Sequence, residues 1–244
     1  MSGLVVAARY LTIVPIPGRR NERFDQLGRA APWFPVVGLG IGVMLVVVER
    51  VTRLVFPPLL GALLIVTAWK LATGGLHLDG LADCLDGLVG RDPAHRLAIM
   101  HDSRIGAFGA VGLILFLLLE IAALSELAPT WRWRVLLVTP ALARATPPVL
   151  ARLFPSARTE GHGAAFRASL SRGGPPIAIV AGLVIAVSVL GAFGVVVAAA
   201  ALASALALGA FLSRRLGGIT GDVLGAAIEA AELTVLLTVS AWLH

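Results

Sequence analysis

The sequence predicts an all-α fold: a polytopic integral membrane bundle of about seven transmembrane helices, preceded by a short N-terminal interfacial or re-entrant helix. Three observations predict it. The 244 residues are 58% hydrophobic and 14% charged, with a mean hydropathy of +0.90, which is more apolar content than one water-soluble core can hide. Apolar stretches close to the ~20 residues that cross a bilayer recur up to the C-terminus, so residues 1–244 read as a single membrane domain and not as a cleaved leader followed by a polar one. Arginines, finally, concentrate in alternate connections.

Taken in order, residues 4–15 are apolar but short and carry Arg9 and Tyr10, so this segment is expected to lie in the interface or re-enter, not to span. Spans are expected at 33–51, 59–76, 107–127, 133–150, 177–190, 195–212 and 223–242. The run from Ile177 to Leu212 is too long for one helix, and Gly191-Ala-Phe-Gly194 is the natural place for a tight hairpin. Asp92-Pro93 is an N-cap and first-turn pair that opens a short helix through Met100, suited to lying along the membrane surface.

In this segmentation the connections alternate sides, and the long polar segments 18–32, 77–106, 152–175 and 213–222 share one face. Arg19, Arg20, Arg23, Arg29, Arg91, Arg96, Arg104, Arg152, Arg158, Arg167, Arg172, Arg214 and Arg215 lie on that face, against Arg50, Arg53, Arg132 and Arg134 on the other. The positive-inside rule makes the long-loop face cytoplasmic. The chain is therefore expected in the cytoplasmic (inner) membrane with its chemistry facing the cytoplasm. Membrane orientation also accounts for the net charge of +6, and nucleic acid is not expected as a partner. The lone Cys84 excludes an intramolecular disulfide and is too little for a thiolate metal site. A homo-oligomer is compatible with the sequence, which carries no signal for one.

The chemistry concentrates in Gly74-Gly-Leu-His-Leu-Asp-Gly-Leu-Ala-Asp-Cys-Leu-Asp-Gly87. Asp79, Asp83 and Asp86, at i, i+4 and i+7, fall within a ~60° arc of one helix face. Three like charges so close repel, and a divalent cation is the simplest way to hold them together. Oxygen ligands beside a cytoplasmic surface favour Mg2+, bound together with substrate phosphates. The bland alternative is three solvated acids at the end of a span. His77 faces away from the acids on a continuous helix and reaches them only if the chain breaks at Gly74-Gly75 or Gly80.

Beyond this stretch, Arg104 could clamp a phosphate with its planar fork of donors, while Asp102 could bind metal or simply pair with Arg104. Gly217-Gly-Ile-Thr-Gly-Asp222 precedes the last span, where its backbone N–H groups, with Thr220 and Asp222, could receive a phosphate; either side chain could equally be an ordinary N-cap. Glu229 and Glu232 fall on the same helix face as Asp222, with Glu229 ~10 Å into the helix. Ionisable groups at that depth usually mark a functional interior. The basic segment 152–172, which contains Glu160-Gly-His-Gly163, could guide an anionic substrate.

These residues resemble the cobalamin synthase (adenosylcobinamide-GDP ribazoletransferase) family over nearly the whole chain. The blocks that carry the resemblance are Tyr10-Leu-Thr-Ile-Val-Pro-Ile-Pro17, Trp33-Phe-Pro-Val-Val-Gly-Leu-Gly-Ile-Gly42, the stretch from Leu76 to Gly87, Ile99-Met-His-Asp-Ser-Arg-Ile-Gly106 and Thr220-Gly-Asp-Val-Leu-Gly-Ala226. Two positions depart from the pattern: His101 stands where the family has lysine, and Cys84 where it has a small or hydroxylated residue. No phosphate-binding role is carried over to His101.

The resemblance implies a transferase in which α-ribazole, or its 5'-phosphate, attacks the corrinoid-side phosphorus of adenosylcobinamide-GDP through its ribose 3'-hydroxyl and releases GMP. Magnesium is the implied cofactor, with Asp79, Asp83 and Asp86 as its ligands and Arg104 on the diphosphate. Asp102, Thr220, Asp222, Glu229 and Glu232 are further substrate-binding candidates; Asp83, Asp86 or His77 is the candidate base. Two other readings use the same carboxylates. One is a different membrane enzyme of diphosphates, such as a CDP-alcohol phosphotransferase or a UbiA-type prenyltransferase. The other is a cation transporter, with Glu229 and Glu232 on an ion path.

Overall fold

The computed structural model describes residues 3–16 and 24–244; Pro17, Arg19, Arg20 and Arg23 of the segments read above lie outside the described residues. In chain order the elements are α1 (Gly3–Leu11), a 3-10 run (Phe24–Trp33), α2 (Phe34–Val55), α3 (Pro58–Ala72), α4 (Leu76–Gly87), α5 (Pro93–Ile99), α6 (Ala107–Glu126), α7 (Pro129–Arg144), α8 (Thr146–Leu153), α9 (His162–Ser169), α10 (Gly174–Leu190), α11 (Phe193–Leu216) and α12 (Gly221–Leu243). The described residues contain no strand, only an isolated parallel bridge between Ser156 and Ile219. Proline opens α2, α3, α5, α7, α8 and α10 within their first two positions, where its fixed φ is already helical and its missing N–H costs nothing.

Among the described residues, four helical stretches are long and apolar enough to cross a membrane: Gln26–Val55, Ala107–Glu126, Phe193–Leu216 and Gly221–Leu243. Two bent pairs, α3 with α4 at 91° and α9 with α10 at 95°, raise the number to as many as six. The expected seventh, 133–150, is divided. Helix α7 ends at Arg144, and α8 restarts at Thr146 ahead of Pro147 and Pro148, which cannot donate to the preceding turn. Within the expected polar segment 18–32, the described residues from Phe24 form a 3-10 run in which Leu27, Ala30 and Ala31 turn inward and are buried. Helix α1 is too short to span, as its sequence suggested, and the hairpin lies at Gly191, whose φ of +63° ends α10.

Helix α12 is the axis of the bundle: Val223, Ala226, Ala227, Ala231, Val235, Leu236 and Val239 are fully buried, against α4, α6, α7, α8, α9 and α11. Helices α2 and α7 approach backbone to backbone. A Cβ on Gly38 would lie 2.3 Å from the Pro140 carbonyl oxygen, and one on Gly42 2.6 Å from that of Leu137, the small-residue contact typical of membrane helices. Apolar side chains also point outward, among them Val43 and Val47 on α2, Ile114, Leu115 and Leu118 on α6, and Val180 and Val184 on α10. Such stripes on the outside of a bundle fit lipid as the solvent.

Candidate active site

The site is made by a break and a crossing. Gly74 and Gly75 both have left-handed φ, +64° and +69°, a conformation that costs glycine nothing. Their N–H groups close α3 by donating to Leu71 and Lys70 carbonyls, each at 2.9 Å. The chain then turns through 91°, so α4 lies across the direction of α3 and packs against α12 and α6. Helix α4 meets the start of α12 without side chains between them: a Cβ on Gly80 would come 2.7 Å from the Asp222 carbonyl oxygen. The aspartates of α4 and Asp222 of α12, far apart in sequence, thereby share one neighbourhood.

Beside this crossing lies a cavity of about 310 Å3 lined by Tyr10, His77, Asp79, Arg158, Glu160, His162, Thr220 and Asp222 together with apolar groups such as Leu27, Phe34, Phe166 and Ile228. Its wall between α8 and α9 is pinned. Ala157 N–H donates to the Ile219 carbonyl at 2.9 Å and Ile219 N–H to that of Pro155 at 2.8 Å. Phe166 stacks on Phe34 with ring centroids 5.6 Å apart. Arg158 is steadied by a 2.9 Å bond from its guanidinium to the Leu97 carbonyl.

The electrostatics are those of crowded carboxylates. Burial pushes Asp83 up to about 7, and the negative charges of Asp79, Asp222 and Asp86 push in the same direction, with Arg158 opposing. His77 is buried, lines the cavity, and has no hydrogen-bond partner at Nδ1. Helix α4 is continuous from Leu76 to Gly87, and the charges that act on His77 are those of Arg144, Glu232 and Lys70, not those of the aspartates. Thr220 caps α12 by accepting from Val223 N–H at 3.3 Å and donates to Asp222 at 3.1 Å.

Other sequence-selected residues lie apart from the cavity. Asp86 accepts from Gly106 N–H at 2.7 Å and from Gly109 N–H at 2.8 Å; it caps the start of α6, whose own cap residue, Gly106, has no side chain to offer. Asp102 and Arg104 pair with each other at 2.6 Å on the surface, with Arg104 87% exposed. That pairing holds Asp102 down to about 2. Glu229 and Glu232 do not line the cavity; they are buried with Glu120 around the ammonium of Lys70, at 2.5, 3.0 and 3.1 Å, and Glu232 also takes Arg144 at 2.6 Å. Among the described residues these glutamates form the one carboxylate trio with oxygens within 4.8 Å of one another, and Lys70 occupies it.

Reading residues one at a time along the chain missed Lys70, Glu120, Arg144, Tyr10 and, as individuals, Arg158, Glu160 and His162. A signal existed for the first three. Each is an ionisable group inside an apolar stretch, where a partner of opposite charge is required. Nothing local pointed to Tyr10, which reaches the cavity only because α1 folds back against it, its ring edge-on to His162 at 6.3 Å.

Comparison with known proteins agrees over the whole length. A family model described as cobalamin-5-phosphate synthase matches residues 3–240. The adenosylcobinamide-GDP ribazoletransferase of Geotalea daltonii is 39% identical, covering 97% of this chain and 96% of the relative. Proteins of that name from Chlorobaculum tepidum and Ectopseudomonas mendocina are each 38% identical, covering 100% and 96% of this chain and 96% and 97% of their own length. No solved structure matches.

Proposed function

The chain belongs to the cobalamin-5-phosphate synthase family, and on that premise we propose that it is an adenosylcobinamide-GDP ribazoletransferase working at the membrane. The ribose 3'-hydroxyl of α-ribazole, or of its 5'-phosphate, attacks the corrinoid-side phosphorus. A new P–O bond forms, the bridging P–O bond breaks, GMP leaves with the bridging oxygen, and the hydroxyl proton passes to a base. The observation that carries the reading is the meeting of Asp79 and Asp222 beside Arg158 at one cavity, with Asp83 outside its lining but within reach of the charges of all three. Phosphoryl transfer asks of a protein mainly positioning and charge stabilisation.

Magnesium is proposed on the chemistry of the donors, because Asp79, Asp83 and Asp222 converge as oxygen ligands although their oxygens do not all lie within 4.8 Å of one another. Asp83 is pushed up to about 7 by burial and by its acidic neighbours, a penalty that a divalent cation held by Asp83 with Asp79 and Asp222 would relieve. When bound, the ion would neutralise charge on the diphosphate. Asp86 joins this group only through its remaining lone pairs, since both its oxygens already accept backbone bonds. Arg158, in the cavity wall, is better placed than the Asp102-bound Arg104 to hold a phosphate oxygen. The candidate proton acceptors are the aspartates and His77; Asp79 and His77 line the cavity, with His77 Nδ1 buried and unpartnered.

A cavity of about 310 Å3 is at the small end of ligand sites. It suits the reacting diphosphate and ribose, while the corrin ring stays outside. The ion-path alternative loses its support, because Lys70 and Arg144 already pair the buried glutamates. The deciding experiment incubates the purified protein with adenosylcobinamide-GDP, α-ribazole and Mg2+ and follows cobalamin and GMP. Equal release of both is expected, with Arg158→Gln raising the KM for the nucleotide substrate. Turnover of CDP-diacylglycerol or a prenyl diphosphate in place of these substrates would overturn the proposal.

A further inference from the structure

One acid in the wall of the cavity has no partner in the chain. Glu160 stands in the loop 154–161 between α8 and α9, is exposed, and lines the cavity beside the proposed chemistry. Among the described residues no hydrogen bond or ion pair holds its carboxylate. Arg158, two residues earlier, does not supply one: it donates to the Leu97 carbonyl at 2.9 Å, and its charge acts on Asp83 and Asp222. A free carboxylate in a pocket that has to receive a diphosphate repels it. Its presence there calls for a donor elsewhere on the ligand.

The loop is laid out in an order that fits a nucleotide. Arg158 and Glu160 line the cavity, while Thr159 between them does not. Two residues advance the chain by about 7 Å at most, so the guanidinium and the carboxylate serve neighbouring parts of one bound molecule. Past Glu160 the wall is aromatic. The rings of Tyr10 and His162, both lining the cavity, meet edge-on with centroids 6.3 Å apart and planes at 87°. Rings of this kind receive the face of a flat base, and a carboxylate beside them accepts from N–H groups on its edge.

Resting on the transferase reading above, we propose that Glu160 selects the guanine of the nucleotide substrate. Its two oxygens accept from guanine N1–H and the 2-amino group, while Arg158 takes a phosphate oxygen and the rings of Tyr10 and His162 flank the base. Guanine presents two adjacent donors. Adenine sets an acceptor beside its single amino donor, and a carboxylate repels that acceptor. The benzimidazole of α-ribazole, with one nitrogen bonded to the ribose, has no N–H at all. The same wall therefore holds the GDP moiety and turns away the base of the second substrate.

The test follows transfer by the purified full chain and by its Glu160→Gln variant, with GMP and IMP as product inhibitors; IMP lacks the 2-amino group. The side chain is exposed and unpartnered, so the substitution leaves folding intact, which the melting temperature checks. Wild type is expected to bind GMP at least roughly tenfold more tightly than IMP. Glu160→Gln is expected to lose most of that preference and to raise the KM for adenosylcobinamide-GDP at least roughly tenfold, with the KM for α-ribazole unchanged and turnover at saturation falling less than the KM rises. Thr159→Ala, on the same loop but outside the cavity lining, should behave as wild type. Absence of transfer by the wild type would refute the transferase reading itself and this assignment with it. With the wild type active, an unchanged nucleotide KM in Glu160→Gln, a GMP preference kept in that variant, or a fall in kcat with no rise in KM would overturn the assignment alone.

Discussion

Lys70 Nζ lies 2.5 Å from Glu229 Oε2, and this contact joins the last turn of α3 to the interior of α12 where both side chains are nearly shut off from solvent. The same ammonium reaches Glu120 of α6 and Glu232 of α12, and Arg144 brings α7 to Glu232. Four helices are thus tied by two cations directly beneath the break that produces α4.

Removing that cation should be far worse than removing one of its acids. Lys70→Met leaves three buried carboxylates facing Arg144 alone, and breaking a buried pair from one side costs about 3–5 kcal/mol. Glu229→Gln leaves Lys70 with two carboxylates and should cost less, while membrane insertion is retained. Melting temperatures of the purified variants test the ranking; a Glu229→Gln protein less stable than Lys70→Met would refute it.

Asp83→Asn is expected to abolish transfer of the nucleotide loop or to raise the Mg2+ needed for half activity, because asparagine keeps the size but removes the charge a hard cation requires. Partial rescue at high Mg2+ is allowed. Unchanged turnover across a magnesium titration would remove Asp83 from the metal site.

Asp86 should behave differently from Asp83. Asp86→Ala removes both acceptors from the start of α6 and should lower stability by about 1–2 kcal/mol, the usual effect of losing a cap. Asp86→Asn, which keeps one acceptor, should lose less. If Asp86→Ala melts with the wild type, the cap is not a stabilising contact.

The elevated Asp83 also predicts a pH dependence in magnesium-free buffer. Its folded pKa of about 7 lies above the unfolded value of about 3.9, so between these values the folded state binds more protons. Stability should therefore fall as pH rises from about 4 to about 7, and then level off. Asp83→Asn should flatten this part of the slope, as should added Mg2+ in the wild type. An identical slope in the variant would assign the effect to another group.

For topology, Ala94 is exposed in α5 on the long-loop face, and the native Cys84 is buried. A cysteine at position 94 should resist an impermeant thiol reagent added outside intact cells and react after permeabilisation. Labelling from outside would invert the proposed orientation.

What the linear order determined is what local composition controls. Apolar runs specify most of the helices, Asp92-Pro93 the start of α5, Gly191 the hairpin, and the i, i+4, i+7 spacing puts Asp79, Asp83 and Asp86 near one another, because each depends on residues within a turn or two. Sequence alone also made the family resemblance visible. It could not decide what those side chains do. Asp86 turns to the amides of Gly106 and Gly109, Glu229 and Glu232 turn to Lys70 and Arg144, and Arg104 closes on Asp102, while Arg158 and Tyr10 enter the cavity from distant segments. Apart from the surface pair Asp102–Arg104, which is local, those outcomes were decided by how the helices pack, α4 crossing α12 backbone to backbone at Gly80 among them. In an apolar interior each charge must find a partner wherever packing brings one, and that partner is seldom its neighbour in the chain.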